Sequence, residues 1–243
     1  MKTLCFHDYR LSVKERELLV LDTGSQPELA FGPGIHLILA PNGTGKSTFL
    51  RTLAGSARPS RGRATWSDGS SWDASHDALY VSEYLSFPKF VYPTEWISFA
   101  AGTPWTTLAE RLKDWIGRFG LVDQMSRFLG RMSQGERRKV TWLAAHASTA
   151  QVLLLDEPLD GVDLLAVQAA RDSLAMWKEQ GRIVLLIAHQ AAEILDLCDN
   201  VWWIQDRKFV LWNRISGKSP AQIDPRELRE QTIRAHSPAR LSP

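Results

Sequence analysis

Ala40-Pro41-Asn42-Gly43-Thr44-Gly45-Lys46-Ser47-Thr48 is the stretch that decides the fold of this chain. The apolar run Ile35-His36-Leu37-Ile38-Leu39 precedes it, and Phe49-Leu50-Arg51-Thr52-Leu53-Ala54 follows. That order predicts a buried strand, a glycine-rich loop and the start of a helix. Such a loop turns its backbone N–H groups around a phosphate, with the helix N-terminus behind it. Lys46 is placed to reach the β- and γ-phosphates of a nucleotide, and the Ser47 hydroxyl to meet Mg²⁺. Of the pattern G-x-x-x-x-G-K-[ST], Gly45, Lys46 and Ser47 are present, while Ala40 stands at the first glycine. Alanine is tolerated there only at negative φ. Taken alone, the stretch also reads as a lysine-bearing turn between a strand and a helix.

The chain has 243 residues, 44% of them hydrophobic, enough for one large α/β domain or two small ones. A formal charge of +2 gives no argument for a nucleic-acid partner. No apolar run is long enough for a membrane-spanning helix, and the N-terminal residues lack the apolar stretch of a signal peptide. Cys5 and Cys198 are far apart and read as free thiols of a reducing compartment. Together these features predict a cytoplasmic protein. Trp202, Trp203 and Trp212 recur in one short segment and read as packing residues or as a face for a partner.

Leu4 to Val20 alternates loosely and predicts two short strands, with Arg16-Glu17 as an exposed turn between them. Tyr9 is a candidate to stack on a nucleotide base and equally a half-buried strand residue; Val13, the other candidate, offers no aromatic face. The helix from Lys46 should end near Gly55. Strands are expected at 63–66 and 79–81, with Glu83 directly after the second. Prolines then punctuate the chain, and Leu108, Leu112, Trp115, Ile116 and Phe119 recur at helical spacing. A further helix runs from Gly135-Glu136 to about Ser148, so residues 88–148 read as a helical insertion. Val152-Leu153-Leu154-Leu155 and Ile183-Val184-Leu185-Leu186-Ile187-Ala188 do not alternate, which places them inside a parallel sheet. A long helix joins them, and 201–204 with 208–212 form a hairpin around Asp206-Arg207. A short helix is expected near 225–235.

Ligands of open α/β sheets bind at the carboxyl ends of the strands. The loop Ala40–Thr48, Glu83, Asp156-Glu157 and His189 all follow predicted strands. Asp156 is placed to orient Mg²⁺ through water. Glu157 is placed to polarise an attacking water, as a general base whose pKa burial would raise. Asp-Glu-Pro as a mere polar strand end would leave the lysine loop unexplained. Ser133 reads as a helix N-cap with Glu136 completing a capping box, and its helix start also forms an anion site.

These motifs, in this order, resemble a nucleotide-binding subunit of the ATP-binding cassette (ABC) transporter family over about residues 4–215. The resemblance rests on the lysine loop, on Met132-Ser133-Gln134-Gly135-Glu136 in place of Leu-Ser-Gly-Gly-Gln, on Val152 to Pro158, on Asp163 and on His189. It implies an α/β fold, with a RecA-like, mostly parallel P-loop core, an antiparallel β element and an inserted helical subdomain. Residues 1–217 then form one ATPase domain, with core 1–87 and 149–217 and helical subdomain 88–148, followed by a tail, 218–243. The resemblance further implies ATP and Mg²⁺ as cofactors. ATP is held by Pro41 to Thr48 of one subunit and by Ser133 and Gly135 of a second, identical or paralogous subunit. Asp163 couples the two sites, and His189 steadies the γ-phosphate and the water that Glu157 activates. Ser47, Asp156 and Glu83 surround the metal. The helical subdomain meets a transmembrane permease on a separate chain, through the loop after Glu83, which places the protein on the cytoplasmic face of the inner or plasma membrane.

Glu83 stands where the family has a glutamine, and Gln134 and Glu136 replace Gly and Gln of the signature. Every group with an expected catalytic role is present, so an active ATPase is expected. Glu83 and the short one-domain layout are similar to exporters of drugs, peptides or membrane components. The alternative is a soluble ABC-type ATPase acting on ribosomes, DNA or cofactor assembly. The interval from Lys46 to Ser133 carries no heptad run, against the DNA-repair branch, and translation-factor members usually have two such domains per chain.

Overall fold

A computed structural model describes residues 2–13, 16–21, 29–82, 86–188, 191–212, 219–224 and 226. The chain opens with β1 (Leu4–Val13), β2 (Arg16–Leu21), β3 (Ala30–Phe31), β4 (Gly34–Leu39), α1 (Lys46–Leu53), β5 (Arg61–Trp66), α2 (Ala74–Asp77) and β6 (Ala78–Ser82). The helices α3 (Pro93–Ala101), α4 (Trp105–Arg118) and α5 (Gln134–Ala147) follow. Then come β7 (Val152–Asp156), α6 (Leu164–Glu179), β8 (Ile183–Ile187), β9 (Asn200–Gln205) and β10 (Lys208–Leu211).

Two sheets form. β1 pairs antiparallel with β2, β3 and β5. The second sheet has the order β10-β9-β4-β8-β7-β6, parallel except for β9–β10. Its inner strands β4, β8 and β7 are buried along their whole length, and β8 is wholly apolar, because both faces are covered. Leu37, Leu153, Leu155, Val184 and Leu186 point to the side of α4, α5 and α6. Ile38, Leu154, Leu185 and Ile187 point to α1 and the antiparallel sheet. The period-two alternation therefore sorts residues between two cores rather than between core and water.

Arg16 and Glu17 do not form the expected turn. They belong to β2 and pair with Val13 and Ser12 of β1. The ladder's hydrogen bonds outweigh the charge signal, since a charged side chain on a strand can point outward while its backbone pairs. Asp206 and Arg207 do turn the β9–β10 hairpin, at φ 48° and 64°. Arg207 pairs with Glu17 at 3.0 Å, and its carbonyl accepts from the Val20 N–H at 2.9 Å, tying the hairpin to β2. Trp202, Trp203 and Trp212 are buried, which settles them as packing residues. Cys198 is a buried free thiol. The helix expected near 225–235 lies outside the described residues, apart from residue 226.

Candidate nucleotide site

β4, β8, β7 and β6 lie side by side and parallel, so the segments leaving their carboxyl ends share one edge. Glu83 and His189 follow β6 and β8 in sequence and lie outside the described residues. The lysine loop, Asp156 and Glu157 are described, and they line one cleft of about 360 Å³ together with Arg51 and Asp160.

The loop owes its shape to its glycines. Gly43 and Gly45 have φ of 77° and 101°, values that L side chains rarely adopt. Ala40 is absent from the positive-φ residues, which are Asp8, Glu157, Asp206 and Arg207 among the described non-glycines. The alanine therefore meets the condition its sequence position imposed. Thr44 Oγ1 donates to the Pro41 carbonyl at 2.8 Å and braces the turn. Gly45 caps α1 without a side-chain hydrogen bond, so the first N–H groups of α1 have no side-chain partner at the cap. Lys46 folds over the loop, donating to the carbonyls of Ala40 at 2.7 Å and Pro41 at 3.1 Å. Burial pushes its ammonium below the usual lysine range, and the Glu157 and Asp156 carboxylates pull it back up.

Asp156 ends β7, level with Ser82 of β6 and Ile187 of β8. It is buried and accepts from Ser47 Oγ on Oδ1 and from Tyr80 Oη on Oδ2, each at 3.0 Å. Burial raises the Tyr80 phenol to about 12, which keeps it a donor. Tyr80 escaped the sequence reading, although it shares a strand face with Ser82 by alternation. Glu157 follows with φ 52° and is buried, and its N–H donates to the Ile187 carbonyl at 2.9 Å. A non-glycine in this region costs about 1–3 kcal/mol and persists where its surroundings over-determine it.

Mg²⁺ takes hard oxygen ligands, keeps several waters, and shares phosphates with a small number of protein groups. The Ser47 hydroxyl and Asp156 carboxylate, within hydrogen-bond distance beside the loop, fit that demand.

Tyr9 does not face this site. It is 2% exposed, donates to Thr52 Oγ1 at 2.7 Å, and stands edge-on to Phe6 at 5.3 Å. The aromatic core under the antiparallel sheet claims the ring, so stacking on a base is excluded. Val13 is exposed. A second cleft, about 420 Å³, lies beside Gly43 and Thr44, between Leu18 and Ile204.

Ser133, Gly135 and Asp163 line no part of the first cleft. Ser133 caps α5 in a capping box: its N–H donates to Glu136 Oε2 at 2.6 Å, and its Oγ accepts from the Glu136 N–H at 3.2 Å. Asp163 caps α6 through the Ala166 N–H at 2.9 Å and pairs with Lys139 at 2.5 Å. The Lys139 contact holds the Asp163 carboxyl below its usual range. A Cβ on Gly135 would lie 2.8 Å from the Gly161 carbonyl, so this glycine permits a close backbone approach. Lys139 and Gly161 were not legible as partners in the sequence, because the contact joins segments separated by β7.

A family model described as ABC transporter matches residues 29–160. An aliphatic sulfonates import ATP-binding protein of Albidiferax ferrireducens is 30% identical over 198 residues, covering 79% of this chain and 69% of its own length. A manganese transport system ATP-binding protein of Synechocystis is 28% identical over 180 residues, 69% of each chain. An uncharacterized ABC transporter ATP-binding protein of Methanocaldococcus jannaschii is 27% identical over 178 residues, 73% of this chain and 66% of its own. The shared stretch thus spans about two thirds of these relatives, and 61% of a similar Bacillus subtilis protein. A solved structure described as the ATP binding subunit of an ABC transporter superposes with a TM-score of 0.79 at 21% identity, covering 95% of this chain and 99% of that one. With the fold, the lysine loop and the matched family model in agreement, the chain belongs to the ABC transporter family, on its ATP-binding side.

Proposed function

We propose that this chain binds ATP with Mg²⁺ at the lysine loop, hydrolyses it, and thereby drives transport of a substrate through a membrane partner on another chain. The observation that carries the reading is the convergence of Lys46, Ser47, Asp156 and Glu157 on one cleft. The loop N–H groups and Lys46 bind the phosphates, with Lys46 exchanging its carbonyl contacts for phosphate oxygens. Ser47 and Asp156 hold Mg²⁺, which supplies charge neutralisation on the β- and γ-phosphates. Glu157 takes the proton of the attacking water. By family resemblance His189 and Glu83 complete the site. The base occupies the neighbouring cleft by Leu18 and Thr44, without an aromatic platform from Tyr9.

Ser133, Gln134, Asp163, Leu164 and Leu165 are exposed, Leu164 and Leu165 at 81% and 76%. That surface suits a second ATP-binding chain, whose loop and γ-phosphate Ser133 and Gly135 would meet. Phe90 and Phe99, at 82% and 87% exposure, suit the membrane partner. They lie in 88–148, the segment we assign as the helical subdomain. Among the described residues no helix is long and apolar enough to cross a membrane. With such a partner, we assign the protein to the cytoplasmic membrane face. The sulfonate relative is named for import, so the relatives lend the export expectation no support.

One experiment tests the reading. The Glu157→Gln chain, loaded with ATP and Mg²⁺ and purified from native membranes, should form a closed pair that does not turn over. It should bring with it a multi-span chain that has no lysine loop. Wild-type turnover would refute the general-base assignment, and recovery of ribosomes or DNA alone would favour the soluble alternative.

A further inference from the structure

We propose that Trp142 is a positioning residue for Glu157, acting through the carbonyl of Pro158; this rests on the assignment of Glu157 as general base. Glu157 occupies a left-handed backbone conformation that its surroundings must impose. The Ile187 carbonyl fixes its N–H, at 2.9 Å. The indole Nε1 of Trp142 fixes the next residue, donating to the Pro158 carbonyl at 3.2 Å in a buried setting. Trp142 is itself held rigidly. It is 1% exposed, stacked on Trp177 of α6 at 5.4 Å with planes 6° apart, and 6.0 Å from Phe119. A donor so placed resists any rotation that would carry the carboxylate away from the cleft.

Trp142 also connects Glu157 to the start of its own helix. Gly135, Lys139 and Trp142 are spaced i, i+4, i+7 and form one face of α5. All three meet the segment 157–163: Gly135 against Gly161, Lys139 on Asp163, Trp142 on Pro158. A displacement of Ser133 at the head of α5 therefore reaches the Glu157 turn through a stiff rod.

Trp142→Phe in the full chain removes the N–H donor and keeps a ring in the stack. Loss of one such hydrogen bond should lower kcat for ATP hydrolysis about three- to tenfold, with KM for ATP unchanged. Trp177→Phe, which trims the same stack but leaves the Trp142 N–H on Pro158, should lower kcat less than Trp142→Phe does. Unchanged kcat in Trp142→Phe, or an equal loss in both variants, overturns the inference. Glu157→Gln is measured in parallel. If it is inactive while Trp142→Phe is fully active, the positioning role alone falls; if it is fully active, the general-base reading falls with it.

Discussion

His146 should make the protein lose stability as pH falls below neutrality, by an amount the structure sets. Its ring is 7% exposed, stacked on Trp115 at 3.8 Å, and lies 5.0 Å from Trp177. Ser173 Oγ gives its one proton to the Ala169 carbonyl at 2.7 Å, so the 2.7 Å contact with His146 requires Nε2–H to be the donor. A second proton would have to enter an apolar stack. Burial above all, then Arg182 and Arg118, pushes the imidazole down to about 3. The unfolded chain takes up its proton near the ordinary imidazole value of 6.5. Between these values the unfolded state binds more protons, so stability is complete above the unfolded pKa and is lost as pH falls towards the folded one. At 1.36 kcal/mol per unit, the loss by about pH 5 is about 2 kcal/mol. His36, whose pKa burial also lowers, adds a slope of the same sign, so the measurement must be a difference. His146→Phe keeps the stack on Trp115 and leaves Ser173 its bond to Ala169. Urea unfolding of both chains, followed by fluorescence and circular dichroism together, should show the wild type losing about 2 kcal/mol more than the variant between about pH 7 and 5. Parallel stability curves would refute the neutral buried imidazole.

Two further outcomes test the site directly. Lys46→Ala removes the cation from the loop, and loss of one charge-assisted contact, about 1.5–3 kcal/mol, should weaken ATP binding about 10- to 150-fold by titration calorimetry; unchanged affinity would remove the phosphate assignment. Gly135→Ala places a methyl 2.8 Å from the Gly161 carbonyl. Overpacking of about 1–3 kcal/mol should exceed the helix-propensity gain of about 0.5–1 kcal/mol, so the variant should unfold at lower temperature in calorimetry. A variant more stable than wild type would show that the two backbones are not in contact.

Local chemistry was legible wherever consecutive residues carry the signal. The lysine loop needs Gly43 and Gly45 at positive φ and a strand before it, all within a dozen positions. The capping box of Ser133 and Glu136 spans a single turn, and the apolar strands β7 and β8 announce a sheet covered on both faces. Charge was a weaker guide: Arg16 and Glu17 looked like a turn, but backbone pairing with β1 took them. Aromaticity left Tyr9 undecided, because a ring next to a nucleotide loop and a ring in a core cluster look alike in sequence.

The sequence by itself determined the parallel α/β class, the glycine-rich lysine loop, the two carboxylates at the end of β7, and the capped helix at Ser133. Each rests on φ preference, strand burial or hydrogen bonds between near neighbours, which short segments encode. Only the tertiary structure decided that Tyr80 braces Asp156, that Lys139 holds Asp163, that Trp142 grips Pro158 behind a strained Glu157, and that Ser133 lies outside the cleft of its own chain. Those contacts join segments far apart in the chain, and they form only when the two cores bring the sheet and α5 together.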